Sequence, residues 1–212
     1  VFLTDFDKPD IIENKRIIGR GIELYSKLLK ILSSYQVCAL YNICAVGKFV
    51  DKEWMSSSWC ELNIKKPLMD AILHTPVVRN INGILTPFLG PNEDLRIVIP
   101  AAKEVNRYEI YNLLSGLTTD KLNPEMLPAY EEFEHWYAVL NEDILFVDVY
   151  DLSEMISDLR SLDLLIKSLS KEIDCYYWLN KFYEILVGET SSYARVKSSP
   201  NKELGIFLNQ NG

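Results

Sequence analysis

Residues 59–100 read WCELNIKKPLMDAILHTPVVRNINGILTPFLGPNEDLRIVIP, and the order of their chemistry decides the fold class. The opening part carries apolar residues at helical spacing and predicts a helix over 61–73. Three extended runs follow, at 76–79, 84–88 and 95–99. Asn82-Gly83 falls between the first two. Both residues tolerate positive φ, which makes the pair a strong hairpin signal. Gly90-Pro91-Asn92 marks a second turn through the same kind of backbone chemistry. No other stretch offers a comparable sheet seed, and helical patterns lie on both sides of it. The expected class is α+β: a small antiparallel sheet flanked by helices, followed by a mostly helical C-terminal part.

Towards the N-terminus, a helix is expected over 21–34. Ile22, Tyr25, Leu28, Leu29 and Leu32 form one apolar stripe, with Glu23, Lys27 and Lys30 off it. The run QVCALYNICAV at 36–46 is nearly all apolar; its length suits either a buried strand or a buried helical segment, periodicity does not decide between them, and helix is the preferred reading. Ser56, Ser57 and Ser58 are candidate N-caps for the helix that follows.

Towards the C-terminus, a helix is expected over 103–117, with Val105, Tyr108, Leu113, Leu114 and Leu117 on its apolar face. Pro128 can open a helix at a first-turn position, where the missing N–H costs nothing. Its stripe over 128–140 is aromatic: Tyr130, Phe133, Trp136 and Tyr137, then Leu140. Glu131, Glu132 and Glu134 would complement its dipole. A domain helix buries one face, so Trp136 is expected in the core. ILFVDV at 144–149 is the fourth strand candidate. Helices are expected over 154–160, from 161 or 163 to 169, and over 172–187, the last apolar around much of its circumference. A loop over 191–202 and a short strand over 205–208 follow. Composition shifts near Asn141, which suggests an α+β subdomain over 1–141 and a mostly helical one over 142–212. Both ends read as cut: the chain starts at Val1, and the turn chemistry of Asn211-Gly212 has no second strand after it.

The 212 residues are 48% hydrophobic and 25% charged, enough to bury a core. The formal net charge of −8 disfavours nucleic acid and anionic membranes, and no basic run exceeds two residues, as in Lys65-Lys66. Four cysteines, Cys38, Cys44, Cys60 and Cys175, form no C-x-x-C pair and read as reduced thiols of a cytoplasmic protein. Residues 1–5 do not read as a signal peptide, and no apolar run approaches the roughly 20 residues that span a bilayer.

Motifs for chemistry are weak. Pro9-Asp10 with Glu13-Asn14-Lys15 superficially matches the PD…E-x-K pattern of metal-dependent nucleases. That site needs two adjacent strands, and two residues between Asp10 and Glu13 leave no room for them; a solvated helix start explains the stretch better. His74 and His135 are the only histidines and have no metal-ligand spacing. No G-x-S-x-G, Walker loop or G-x-G-x-x-G occurs. Glu131–Glu134 and the Asp148/Asp151 pair read as dipole complementation and capping. No residue is therefore assigned as catalytic, cofactor-binding or metal-ligating, and no cofactor is expected.

Several separated pieces resemble the region that follows the ATPase domain in sacsin-like proteins, relatives of heat-shock protein 90. They are Trp59-x-Glu61-x-Asn63-x-x-x-Pro67-Leu68, Pro76-Val77-Val78-Arg79, Val98-Ile99-Pro100, Leu127-Pro128 with Trp136-Tyr137, and Leu208-Asn209-Gln210-Asn211-Gly212. In the family the last piece begins with proline, where this chain has Leu208. The resemblance covers about residues 54–212, and its persuasive part is the order of the pieces. It implies a non-catalytic middle segment of a chaperone-like ATPase, acting as a scaffold or a client-binding module. It also implies an ATPase domain upstream in the same chain. The alternative is an independent metal-dependent nuclease or hydrolase built on the scattered carboxylates.

Overall fold

The computed structural model describes residues 12–46, 57–101, 104–140, 146–159 and 161–189. The expectations for Pro9-Asp10, Ser56, the loop at 191–202 and the strand at 205–208 lie outside the described residues. The fold class is α+β, with two short two-stranded pairings among many helices and a helical C-terminal part. Packing gathers the chain into two compact units. The first takes the described residues up to Arg79, together with Gly83–Ile97 and Ala138–Leu140. The second takes Asn80–Asn82, Val98–Tyr137 and the described residues after 145. This division runs near Ile97 rather than at the composition shift near 141. Its reason is a strand pairing, given below, that joins residues from either side of 141.

In the first unit, helix α1 (Ile12–Ser34) starts well before the expected position at 21. Gly19 and Gly21 do not stop it, since a glycine weakens a helix interior by only about 1 kcal/mol. It ends in a Schellman motif: Val37 N–H donates to Leu32 O and Gln36 N–H to Ser33 O. Gln36 takes the left-handed position at φ 55°, where glycine is usual. The apolar run at 36–46 is therefore not one helix. Left-handed turns at Gln36 and Ala39 (φ 57°) break it, and only α2 (Tyr41–Cys44) remains helical.

The segment Ser57–His74 winds as α3 (Ser57–Cys60), a π turn (Glu61–Lys65) and α4 (Lys66–His74). Pro67 accounts for the π turn. Its nitrogen has no hydrogen for the carbonyl of Asn63, and its ring would clash with that carbonyl. The turn widens instead, and Lys66 N–H reaches back to Glu61 O. The helix stops at Thr75, whose ψ of 138° is the extended state that a following proline demands.

Strand β1 (Val78–Arg79) pairs antiparallel with β2 (Leu85–Thr86), Val78 opposite Thr86 and Arg79 opposite Leu85. The hairpin is the expected one, but its loop runs over 80–84. Only Gly83 takes a positive φ (78°), so the Asn82-Gly83 pair is not a two-residue turn. The second turn also forms: Gly90 N–H donates to Asp94 O at 2.7 Å and Leu89 bridges Leu95. A Cβ at Gly90 would stand 2.2 Å from Asp94 Oδ1, so a larger residue there would have to displace the Asp94 carboxylate.

In the second unit, β3 (Ile99–Pro100) pairs parallel with β4 (Phe146–Val147). This pairing was not expected from a seed that read as wholly antiparallel. Its cross-link, Ala101 N–H to Val147 O at 2.9 Å, ties residues from both sides of 141. Helix α5 (Glu104–Ser115) buries Ile110, Tyr111, Leu113 and Leu114, whereas Tyr108, expected inside, is exposed. Pro128 does not open a helix. Residues 129–132 form turns, and α6 (Phe133–Val139) starts later. Trp136 is fully buried, and its indole N–H donates to Glu132 Oε2 at 3.2 Å. Val149, expected in a strand, already lies in α7 (Val149–Leu159). Helix α8 (Leu162–Ser168) is capped by Ser161, which accepts from Leu164 N–H. Helix α9 (Cys175–Gly188) is capped by Asp174, which accepts from Tyr177 N–H. It buries Trp178, Leu179, Phe182, Ile185 and Leu186 but leaves Tyr176 and Tyr177 exposed, so it is amphipathic rather than buried all round.

Candidate functional site

The residues that invited a chemical reading are mostly engaged in holding backbone. Asp148 and Asp151 form a reciprocal cap: Asp148 Oδ1 accepts from Tyr150 and Asp151 N–H, and Asp151 Oδ2 accepts from Asp148 N–H at 2.9 Å. Burial pushes the Asp151 carboxyl above its ordinary value, and the neighbouring Asp148 charge adds to that. Glu13 and Lys15 stand exposed in the first turns of α1, on a helix rather than on paired strands.

The cysteines are spread out, and none is in a disulfide. Burial pushes the Cys44 thiol up to about 11, and it raises Cys60 and Cys175 as well. Such thiols stay protonated at neutral pH and are poor nucleophiles. Tyr25, also raised by burial, donates its hydroxyl to Ile43 O at 3.0 Å beside Cys44. Cys38 is exposed, with Arg79 Nη2 at 3.4 Å from its sulfur.

His74 ties the end of α4 to the Gly90 turn. Its Nδ1 lies 2.9 Å from Asp70 O, and its Nε2 lies 3.1 Å from Glu93 Oε1. The Asp70 carbonyl, then the Glu93 and Asp70 carboxylates, raise its pKa above the ordinary value. Glu93 holds a left-handed backbone at φ 60° within that turn. His135 is exposed on α6.

The strongest charge cluster lies in the second unit. Arg107 pairs with Glu134, and its guanidinium carbon sits 3.9 Å over the Tyr137 ring. Tyr108, Tyr111, Tyr130 and Phe133 form a neighbouring group of rings, with centroids 4.8–5.9 Å apart. Tyr111, raised to about 12 by burial, donates to Pro128 O at 2.7 Å. The cluster pins α5 to α6. A groove of about 480 Å³ between α5 and α9 carries Glu109, Glu172 and Asp174 around Tyr177, and Trp178 closes its floor by donating to Leu113 O. Asp174 is occupied as a cap, and Lys181 pairs with Glu184.

The remaining feature is a surface. Helix α1 has 23 residues but buries only Asn14 and Leu29. Ile17, Leu24, Leu28 and Ile31 are each about half exposed, at 46–53%. Sequence reading placed Leu28 on the core stripe and passed over the other three. Their signal was present as the spacing 17, 24, 28, 31. It was masked because Ile22, Tyr25, Leu29 and Leu32 supply a second apolar line on the same helix.

Among the described residues, no group of three or more His, Cys, Asp or Glu side chains gathers at metal-binding range, and no helix is long and apolar enough to cross a membrane. No family model, no curated protein and no solved structure matches this chain.

Proposed function

We propose that the chain is a non-catalytic segment of a chaperone-like ATPase related to heat-shock protein 90, serving as a scaffold or partner-binding module in the cytoplasm. The ATPase domain would lie upstream, as the sacsin-like pieces from Trp59 to Gly212 imply. The observation that carries the partner-binding part is the solvent-facing apolar row on α1, four large aliphatic side chains about half exposed on one helix. Contiguous exposed apolar surface rimmed by polar groups marks interaction sites. The carboxylates offered for a hydrolytic alternative are spent on caps and ion pairs, as with Asp148, Asp151 and Glu134.

The test is suppression of aggregation. The purified chain, at equimolar ratio, should reduce light scattering from a thermally unfolding model enzyme, and calorimetric titration with ATP and magnesium should be flat. Unchanged scattering together with magnesium-dependent cleavage of a nucleic-acid or ester substrate would replace this reading by the hydrolytic one.

A further inference from the structure

The geometry points to the outer face of α1 as a docking site for an acidic amphipathic helix of a partner protein. The inference rests on the partner-binding reading and names the partner's chemistry. Ile17, Gly21, Leu24, Leu28 and Ile31 follow one another at steps of four, three, four and three. That is the seam spacing of a helix built to pack against another helix. Gly21 stands within the seam, and the space a Cβ would enter is open, so a partner backbone can approach closely there.

The two borders of the seam differ. One is the face that α1 turns inward, marked by the buried Leu29. The other, by helical position, is Arg16, Arg20 and Lys27. Arg20 shares its charge with Glu23 at 2.8 Å, whereas Arg16 and Lys27 enter no ion pair among the described residues. The helix holds five basic and two acidic side chains, in a chain whose formal net charge is −8. The border of the seam is thus basic, against the sign of the chain's net charge. A basic rim beside an apolar seam selects a helix whose own seam is flanked by carboxylates.

Other occupants fit less well. Antiparallel pairing of two copies through this seam would set the Arg20 and Lys27 border of one against the same border of the other. An anionic bilayer would meet an apolar strip narrower than surface-lying helices use.

The probe is a dye-labelled synthetic helix with leucines at its seam positions and glutamates flanking them, titrated with the whole chain by fluorescence anisotropy. A second helix has lysine in place of every glutamate. The glutamate helix should bind at least about tenfold more tightly, a difference of about 1.4 kcal/mol. Added salt should weaken it. The triple variant Arg16→Glu, Arg20→Glu, Lys27→Glu should reverse the preference. Leu24→Glu should abolish binding of both helices, and Leu24→Ala, which adds no charge, should weaken both. Circular dichroism checks that each variant keeps the parent helicity.

Equal binding of the two helices overturns the proposal, as does indifference to the triple variant. It also fails if vesicles of phosphatidylcholine with phosphatidylserine bind the chain in place of the peptide, or if sedimentation shows a dimer that Leu24→Glu dissolves. If the glutamate helix fails to bind while aggregation is still suppressed, this proposal falls and the broader reading stands. Failure of both removes both.

Discussion

Helices α1 and α9 are both rich in apolar residues, yet they end in opposite states. Helix α9 has 14 residues and buries five of them; α1 has 23 and buries two. In α9 the apolar positions Trp178, Leu179, Phe182, Ile185 and Leu186 form one stripe, and each finds a packed neighbourhood. In α1 the apolar positions spread over two adjacent lines, and the unit covers only one of them. Amphipathicity therefore predicts that a helix has a face to bury, but not that the face is buried within its own unit.

This contrast can be broken by mutation. Phe182 is fully buried, and Phe182→Ala should cost about 3–5 kcal/mol in chemical denaturation, the range for a truncated core aromatic. Trp136→Ala should fall in the same range, since Trp136 is equally buried. Leu24→Ala on α1 should stay within about 0.5 kcal/mol, as surface changes do. A loss at Leu24 comparable to that at Phe182 would mean that the seam is a core face.

Helix ends sharpen the same comparison. Helix α9 has a side-chain cap in Asp174, and Asp174→Ala should cost about 1 kcal/mol. Asp148→Ala should cost the same or slightly more, because it removes the acceptor of two backbone N–H groups, those of Tyr150 and Asp151, at the start of α7. Melting temperatures unchanged by both would remove the capping account. Helix α1 instead ends on Gln36 at φ 55°. Gln36→Gly should therefore stabilise by about 0.5–1 kcal/mol, less than the full left-handed penalty because glycine also gains freedom in the unfolded chain. A destabilised variant would show that the contact of the Gln36 side-chain amide with Ser33 O outweighs the strain.

The smallest effect concerns pH. The folded state raises the His74 pKa above its ordinary 6.5, so the imidazolium contributes stability in full below that value. The contribution disappears as pH rises through the folded-state pKa. The stability difference between the parent and His74→Gln should therefore be larger at pH 5.5 than at pH 8.5. A difference independent of pH would show that the neutral ring makes the contacts equally well.

Local chemistry was legible wherever a few neighbouring residues suffice. The Asn82-Gly83 hairpin, the Gly90 turn, the caps at Ser161 and Asp148 and the core position of Trp136 all follow from short-range sterics, hydrogen bonding or period. Misreadings came where a distant or covalent constraint outweighed periodicity. Pro67 turned a plain helix into a π turn. Left-handed turns at Gln36 and Ala39 cut an apolar run into pieces. Pro128 was free to start a helix, but the chain turned for several residues before α6 began.

What the sequence determined by itself was which residues want a helix, a turn or an apolar environment, because those preferences are local. Only the tertiary structure decided which apolar face meets another. The parallel pairing of Ile99–Pro100 with Phe146–Val147 joins segments more than forty residues apart, and no local pattern specifies it. The exposure of Ile17, Leu24, Leu28 and Ile31 has the same origin. Both apolar lines of α1 obey the same 3.6-residue period, and only the packing of the rest of the unit chose which one remains in water.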